Sequence, residues 1–216
     1  TPPVFDKDEI FKVFPTDYNE SLNTVLIQEV IRYNVLLKLM KKSIKTLKKG
    51  LTGKIVMSEE TEQMSQSLFI NQVPEAWSKV FLSLKPLSSW IIDLNQRIKF
   101  FQEWVDSKKT PSTFWFSGFS FPQAFLTAVL QNYARASKTA IDLLTFEFKI
   151  LDRKKPSDIT SKPENGVYVY GMFLEGARWN YEKHLLDDSL PKELYTDVPM
   201  IHFIPVANRV LPTTGC

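Results

Sequence analysis

Cysteine is almost missing from this chain. Among 216 residues there is one, Cys216, at the last position. No internal disulfide is therefore expected, which suits a reducing compartment. Histidine is nearly as scarce. His184 and His202 are the only two, and neither stands in a zinc-ligand spacing with cysteines or carboxylates. No apolar run reaches the roughly 18 residues of a membrane span, and the N-terminus lacks a signal-peptide pattern. Neither sign of charge dominates: the net charge of +3 does not by itself imply nucleic acid. No G-x-S-x-G occurs and the cysteine is terminal, so a nucleophilic triad has no anchor. There is no internal repeat. Asn19-Glu20-Ser21 matches a glycosylation sequon, a short pattern with many chance matches. The sequence starts without methionine, and Cys216 follows Thr213-Thr214-Gly215 with no obvious stop, so it reads as a fragment of something longer.

What is present is a core. Hydrophobic residues make up 44% of the sequence, enough for one large domain or two small ones. The densest stretch is Phe114-Trp115-Phe116-Ser117-Gly118-Phe119-Ser120-Phe121, five rings around one glycine. Rings bury large areas, so this segment reads as the hub of a core, with an aromatic binding pocket as the rival reading. Ser120 and Pro122 mark the start of a helix with Ala124, Phe125, Ala128, Val129 and Tyr133 on one face.

Helices fill the first half. After a Pro-containing lead-in over residues 1–15, a long helix is expected from Asp17 to Gly50. Its apolar stripe is Leu22, Val25, Leu26, Val30, Tyr33, Leu37, Met40, Ile44 and Leu47. A shorter helix spans 58–71, capped by Ser58, with Met64 and Leu68 inward. A brief helical turn follows at 73–77. Pro86 opens another long helix with Leu87, Trp90, Ile91, Leu94, Ile98, Phe101 and Trp104 or Val105 on its stripe.

The second part of the first long helix is strongly basic. Lys38, Lys41, Lys42, Lys45, Lys48 and Lys49 share one face, Arg32 and Lys54 extend the run, and no acid occurs between Val30 and Ser58. Cations suit a helix C-terminus. The face is either plain solvated surface or, over residues 32–54, a grip for an acidic partner. Single-stranded nucleic acid is disfavoured because no aromatics interleave the charges.

After Ser137 the period becomes two. Phe146, Phe148 and Ile150 alternate with Glu147 and Lys149. A polar loop over 156–165 leads to strands at 167–170 and 172–174, a turn at Glu175-Gly176, a segment at 177–179 and a last strand at 198–206. Helices first and strands after give an α+β fold, with a helical part over 1–138 and a β part over 139–216.

Candidate chemistry is thin. Gly166 and Gly171 have the first spacing of a phosphate-binding loop, but Met172 and Phe173 stand where Lys and Ser or Thr are required. Glu175, Arg178 and His184 are the one conceivable acid–base cluster, read more plainly as polar residues flanking a turn. No catalytic, cofactor-binding or metal-binding residue is assigned.

Several motifs, taken together and in order, resemble a known family. They are Asn23-Thr24-Val25-Leu26-Ile27-Gln28-Glu29 with Arg32-Tyr33-Asn34, then Val73-Pro74-Glu75-Ala76-Trp77, then Ser83-Leu84-Lys85-Pro86-Leu87. Phe114 to Phe119 follows, with Pro122-Gln123-Ala124-Phe125-Leu126-Thr127 and Gln131-Asn132-Tyr133-Ala134-Arg135. Gly166-Val167, Gly171-Met172-Phe173-Leu174-Glu175-Gly176-Ala177-Arg178-Trp179 and Val198-Pro199-Met200 complete the set. This pattern resembles the C-terminal region of dynein heavy chains of the axonemal type, over roughly residues 7–212.

The resemblance implies the end of a minus-end-directed, ATP-driven microtubule motor. It implies a helical bundle followed by an incomplete antiparallel β-barrel-like sheet. The region would lie on a ring of AAA+ modules, bracing it and modulating motor activity. Its partners would be that ring and the linker of the same heavy chain, and, through the parent complex, intermediate and light chains and microtubules. Neither nucleic acid nor membrane is implied. The segment itself would be non-catalytic and without cofactor, with ATP and Mg bound elsewhere in the parent. The location would be cytoplasm, cytoskeleton and the axoneme of a cilium. Two departures stand out: the family continues past Cys216 into further strands, and the lead-in before Asp17 fits the family poorly. The alternatives from other classes are a stand-alone adaptor using the basic helix 32–54, and an enzyme built around Glu175 and Arg178.

Overall fold

Six α-helices and eight strands follow one another in the computed structural model, which describes residues 2–152 and 155–207. The helices are α1 (Lys7–Val13), α2 (Ser21–Leu51), α3 (Glu59–Phe69), α4 (Glu75–Ser78), α5 (Leu87–Ser107) and α6 (Pro122–Ser137). The strands are β1 (Thr113–Trp115), β2 (Leu144–Leu151), β3 (Val167–Tyr170), β4 (Phe173–Glu175), β5 (Ala177–Asn180), β6 (Leu185–Asp188), β7 (Tyr195–Asp197) and β8 (Met200–Ala207). The fold is α+β, helices first and open sheets after, with no closed barrel among the described residues. Cys216 and the resemblance beyond residue 207 lie outside the described residues. No helix among them is long and apolar enough to cross a membrane.

The protein forms two compact units. One comprises Thr1–Pro15 with Leu26–Lys108, the other Thr16–Val25 with Lys109–Cys216. The change of periodicity puts a sequence boundary at residue 138; the packing groups α6 with the strands, because α6 lies against β2 and β8.

In the first unit the two long apolar stripes do most of the packing. Leu26, Val30, Tyr33, Leu37, Met40 and Leu47 of α2 are buried, with Leu36 added and Ile44 left exposed. From α5 come Leu87, Trp90, Leu94, Ile98, Phe101 and Trp104, so Trp104 rather than Val105 faces inward. Trp77 on α4 stacks on Trp90 at 6.1 Å. Its indole Nε1 donates to Ser43 Oγ at 3.0 Å, so the buried polar tip of the ring has a partner. Ser58 caps α3 as its sequence predicts. The lead-in is no plain coil: Asp6 caps α1, and Phe5, Ile10 and Phe14 are buried.

The second unit is organised by the aromatic stretch. Phe114, Phe119 and Phe125 are buried, with ring centroids 4.9 Å apart for Phe114–Phe125 and 4.6 Å for Phe119–Phe125. The rings fill one another's space, which is the core-hub reading. The capping position of α6 falls on Phe121, next to the expected Ser120. The main sheet has the order β1-β3-β8-β2. β2 and β8 pair antiparallel over eight residues, from Leu144 with Ala207 to Leu151 with Met200. β3 pairs antiparallel with β8, and β1 joins β3 in parallel. Two ribbons, β4 with β7 and β5 with β6, complete the unit.

Candidate functional site

The glycines with phosphate-loop spacing bracket a strand. Gly166 and Gly171 stand on either side of β3, with φ of +77° and +78°. A side chain at Gly166 would collide with the carbonyl of Phe203, and one at Gly171 with the indole of Trp115. Close packing and positive φ therefore explain both glycines. A phosphate-binding loop wraps an anion and leads into a helix; here a strand runs between the glycines and β4 follows.

The conceivable acid–base trio is not assembled. Arg178 on β5 donates from Nε to the Asp188 carbonyl at 3.2 Å and pairs with Asp187 at 3.5 Å. His184 pairs through Nδ1 with Asp152 Oδ2 at 2.6 Å. Glu175 lies on β4, in register with Tyr195 of β7. His202 sits on β8, its Nε2 2.7 Å from the Asn165 carbonyl. Arg178 and His184 are thus engaged with different carboxylates, and neither pairs with Glu175. No group of three or more His, Cys, Asp or Glu side chains among the described residues could hold a metal ion.

Two polar clusters were not legible in advance. Asp152, just after β2, accepts from Trp179 Nε1 at 2.8 Å as well as meeting His184. It therefore ties the end of β2 to the β5–β6 ribbon across 27 residues of sequence. Asp187 accepts from Asn180 Nδ2 at 3.0 Å. That hydrogen bond first, then the charge of Lys183, holds the Asp187 carboxyl below its ordinary value. Both clusters depend on strand pairing, for which the local sequence carries no signal.

The second unit also holds an open cavity of about 230 Å³, lined by Glu20, Phe114, Asn132, Tyr133, Lys162 and Asn165 among others. Its wall is structural. Asn132 donates from Nδ2 to Glu20 Oε1 at 2.7 Å and accepts from the Ser21 N–H at 2.8 Å. Arg135 donates to Ser21 Oγ at 2.8 Å and lies over the Tyr18 ring at 4.3 Å. These contacts cap the start of α2, whose first N–H groups have no partner within the helix.

In the first unit the most prominent surface feature is the basic face of α2. Lys38, Lys41, Lys42, Lys45, Lys48 and Lys49 are all exposed. None of their ammonium groups has an ion pair or hydrogen bond among the described residues. Beside this face a groove of about 710 Å³ runs between α2, α3 and α4, lined by Lys42, Thr46, Glu60, Thr61, Glu75 and Lys79 among others. Glu75 and Lys79 pair within it at 2.7 Å.

Comparison with known proteins gives the family. The family model for the C-terminal domain of the dynein heavy chain matches residues 1–214. The match extends through the lead-in before Asp17. Dynein axonemal heavy chain 1 of Rattus norvegicus is 51% identical over 209 residues, 96% of the present sequence. Dynein axonemal heavy chain 3 and dynein axonemal heavy chain 12 of Homo sapiens are each 44% identical, over 205 and 206 residues, in both cases 94% of the present sequence. The aligned part is 5% of the length of the first two relatives and 6% of the third. A motif order read from the sequence, a fold of helices followed by open sheets and a whole-length family match agree: the protein belongs to the family of C-terminal domains of dynein heavy chains.

Proposed function

We propose that this segment is the non-catalytic C-terminal region of an axonemal dynein motor, and that it braces the motor's AAA+ ring and modulates its activity. The observation that carries this reading is the family match over residues 1–214. One feature supports a packing role. Large apolar side chains are left exposed in each unit, including Phe69, Leu82 and Leu84 in one and Phe173, Leu194 and Tyr195 in the other. Exposed apolar side chains of this kind are suited to burial against another surface. ATP and Mg are assigned to other modules of the parent motor, and the segment needs no cofactor of its own. The partners proposed are the ring and linker of the same heavy chain. Intermediate and light chains and microtubules are reached through the parent complex. The axoneme of a cilium is the proposed location.

The test is made in the parent motor. Deleting the region should change microtubule gliding velocity and ATPase rate together while leaving Mg-ATP binding by the ring intact. Unchanged motility after deletion would overturn the modulating role. Calorimetric titration of the isolated segment with Mg-ATP should show no heat of binding; saturable binding would overturn the non-catalytic assignment.

A further inference from the structure

α2 carries two seams, and its own unit uses only one. The first is the buried stripe from Leu26 to Leu47. The second consists of Ile31, Val35, Lys38, Lys42, Lys45 and Lys49, which step along the helix by four, three, four, three and four residues. At about 100° per residue these six side chains fall within an arc of roughly 80°. All six are exposed: Ile31 by 41% and Val35 by 52%, with the four lysines fully on the surface side. Lys41 and Lys48 flank them.

Alternating steps of three and four are the spacing by which one helix receives another side by side. A lysine at such a position is unfavourable against an apolar partner, because its charge loses water without a counter-ion. Against a carboxylate the charge is compensated, and such a position fixes register and partner choice rather than adding stability. We propose that this seam docks an acidic amphipathic helix of a partner polypeptide. Its carboxylates would face Lys38, Lys42, Lys45 and Lys49, and its apolar residues would face Ile31 and Val35.

The local chemistry leaves the lysines available. No acid occurs between Val30 and Ser58. In the adjoining groove Glu75 is already paired with Lys79. Other occupants fit less well. A second copy of the protein would set lysine against lysine in a parallel pairing, and isoleucine and valine against lysine in an antiparallel one. An interfacial membrane helix needs a continuous apolar face, and α2 spends that face on its own core. Single-stranded nucleic acid calls for aromatic platforms among the cations, and the seam has none. The inference goes beyond the bracing role and does not depend on it.

The test uses the 216-residue protein and a fluorescent helical peptide about three heptads long, with Glu at seam positions and Leu at its two terminal ones. Peptides of both orientations are compared. Anisotropy should report binding that weakens as salt rises. Lys38→Glu, Lys42→Glu, Lys45→Glu and Lys49→Glu combined should weaken it at least about tenfold. The same change of net charge at Lys12, Lys138, Lys149 and Lys192, all exposed, should have little effect. No binding, or equal weakening by the two variants, would overturn the proposal. So would tighter binding to an oligodeoxythymidine or to phosphatidylserine vesicles. Lysine acetylation footprinting on the unmutated protein covers the case of a variant that fails to fold. The peptide should protect Lys38, Lys42, Lys45 and Lys49 over the four control lysines, and uniform labelling would again overturn it.

Discussion

Phe5 and Asn34 exchange two hydrogen bonds, as two strand residues would. The Phe5 N–H donates to Asn34 Oδ1 at 2.8 Å, and Asn34 Nδ2 donates to the Phe5 carbonyl at 2.9 Å. Both residues are buried, so neither backbone group of Phe5 can turn to water instead. Replacing Asn34 by Ala should therefore cost about 1–3 kcal/mol. Chemical denaturation gives the loss directly, and limited proteolysis should show new cleavage before Pro15. An unchanged midpoint with no new cleavage would mean that Phe5, Ile10 and Phe14 hold the lead-in by packing alone.

The aromatic hub separates two phenylalanines that stand four residues apart. Phe125 is fully buried, whereas Phe121 is 47% exposed. Phe125→Ala should lower stability by about 3–5 kcal/mol, since the cavity lies among rings that cannot all collapse into it. Phe121→Ala should stay within about 0.5 kcal/mol. Thermal unfolding of the two variants side by side checks this, and similar losses would show that the exposed ring is also part of the hub.

Acid should act on the β5–β6 ribbon through Asp187. Its folded pKa lies below the ordinary value, chiefly because Asn180 donates to the carboxylate. A depressed carboxylate pKa adds stability that is present above the unfolded value and lost as pH falls through the folded one. An NMR titration of the Asp187 carboxyl should place its midpoint below that of an ordinary aspartate. Asn180→Ala should raise the midpoint; no change would assign the effect to Lys183 and Arg178 instead.

Hydrogen exchange should grade the strands by their neighbours. β8 lies between β3 and β2, with partners on both sides. The ribbons β4–β7 and β5–β6 are two-stranded, and Phe173, Leu185, Leu186 and Tyr195 on them are exposed. Such ribbons open locally at small cost. Their amides should exchange faster than those of Ile201 and Phe203. Equal protection would mean that the ribbons open only with the main sheet.

How much of this could be read beforehand follows from the range of the interactions. The stripes of α2 and α5 are written at helical spacing, so these helices and most of their buried residues were legible, but the start of α2 falls at Ser21 rather than Asp17 and is held by Asn132 from far along the sequence. The α1 helix was missed because seven residues between prolines carry too little periodicity. β1, β6 and β7 were missed because three or four polar or mixed residues become strand only through a partner far along the sequence. β1 shows this most clearly: Phe114 pairs in parallel with Val169, a contact that neither segment signals. The basic face was legible as composition. That its lysines are unpaired, and that Ile31 and Val35 on the same line are exposed, needed the structure. The trio Glu175, Arg178 and His184 looked close in sequence, but strand pairing gives each a different neighbour.

The packing of Gly166 and Gly171 bears on how inherited variants in this segment would be read. Any larger residue at Gly171 meets the Trp115 indole, and at Gly166 the Phe203 backbone. The damage falls on β3 and its attachment to β1 and β8, not on a reacting group. A missense change at either glycine should therefore reduce the amount of folded protein that accumulates in a cell, with quality control removing the rest. Lowering the growth temperature should restore part of the protein, whereas a variant that only removed an exposed side chain would accumulate normally at any temperature.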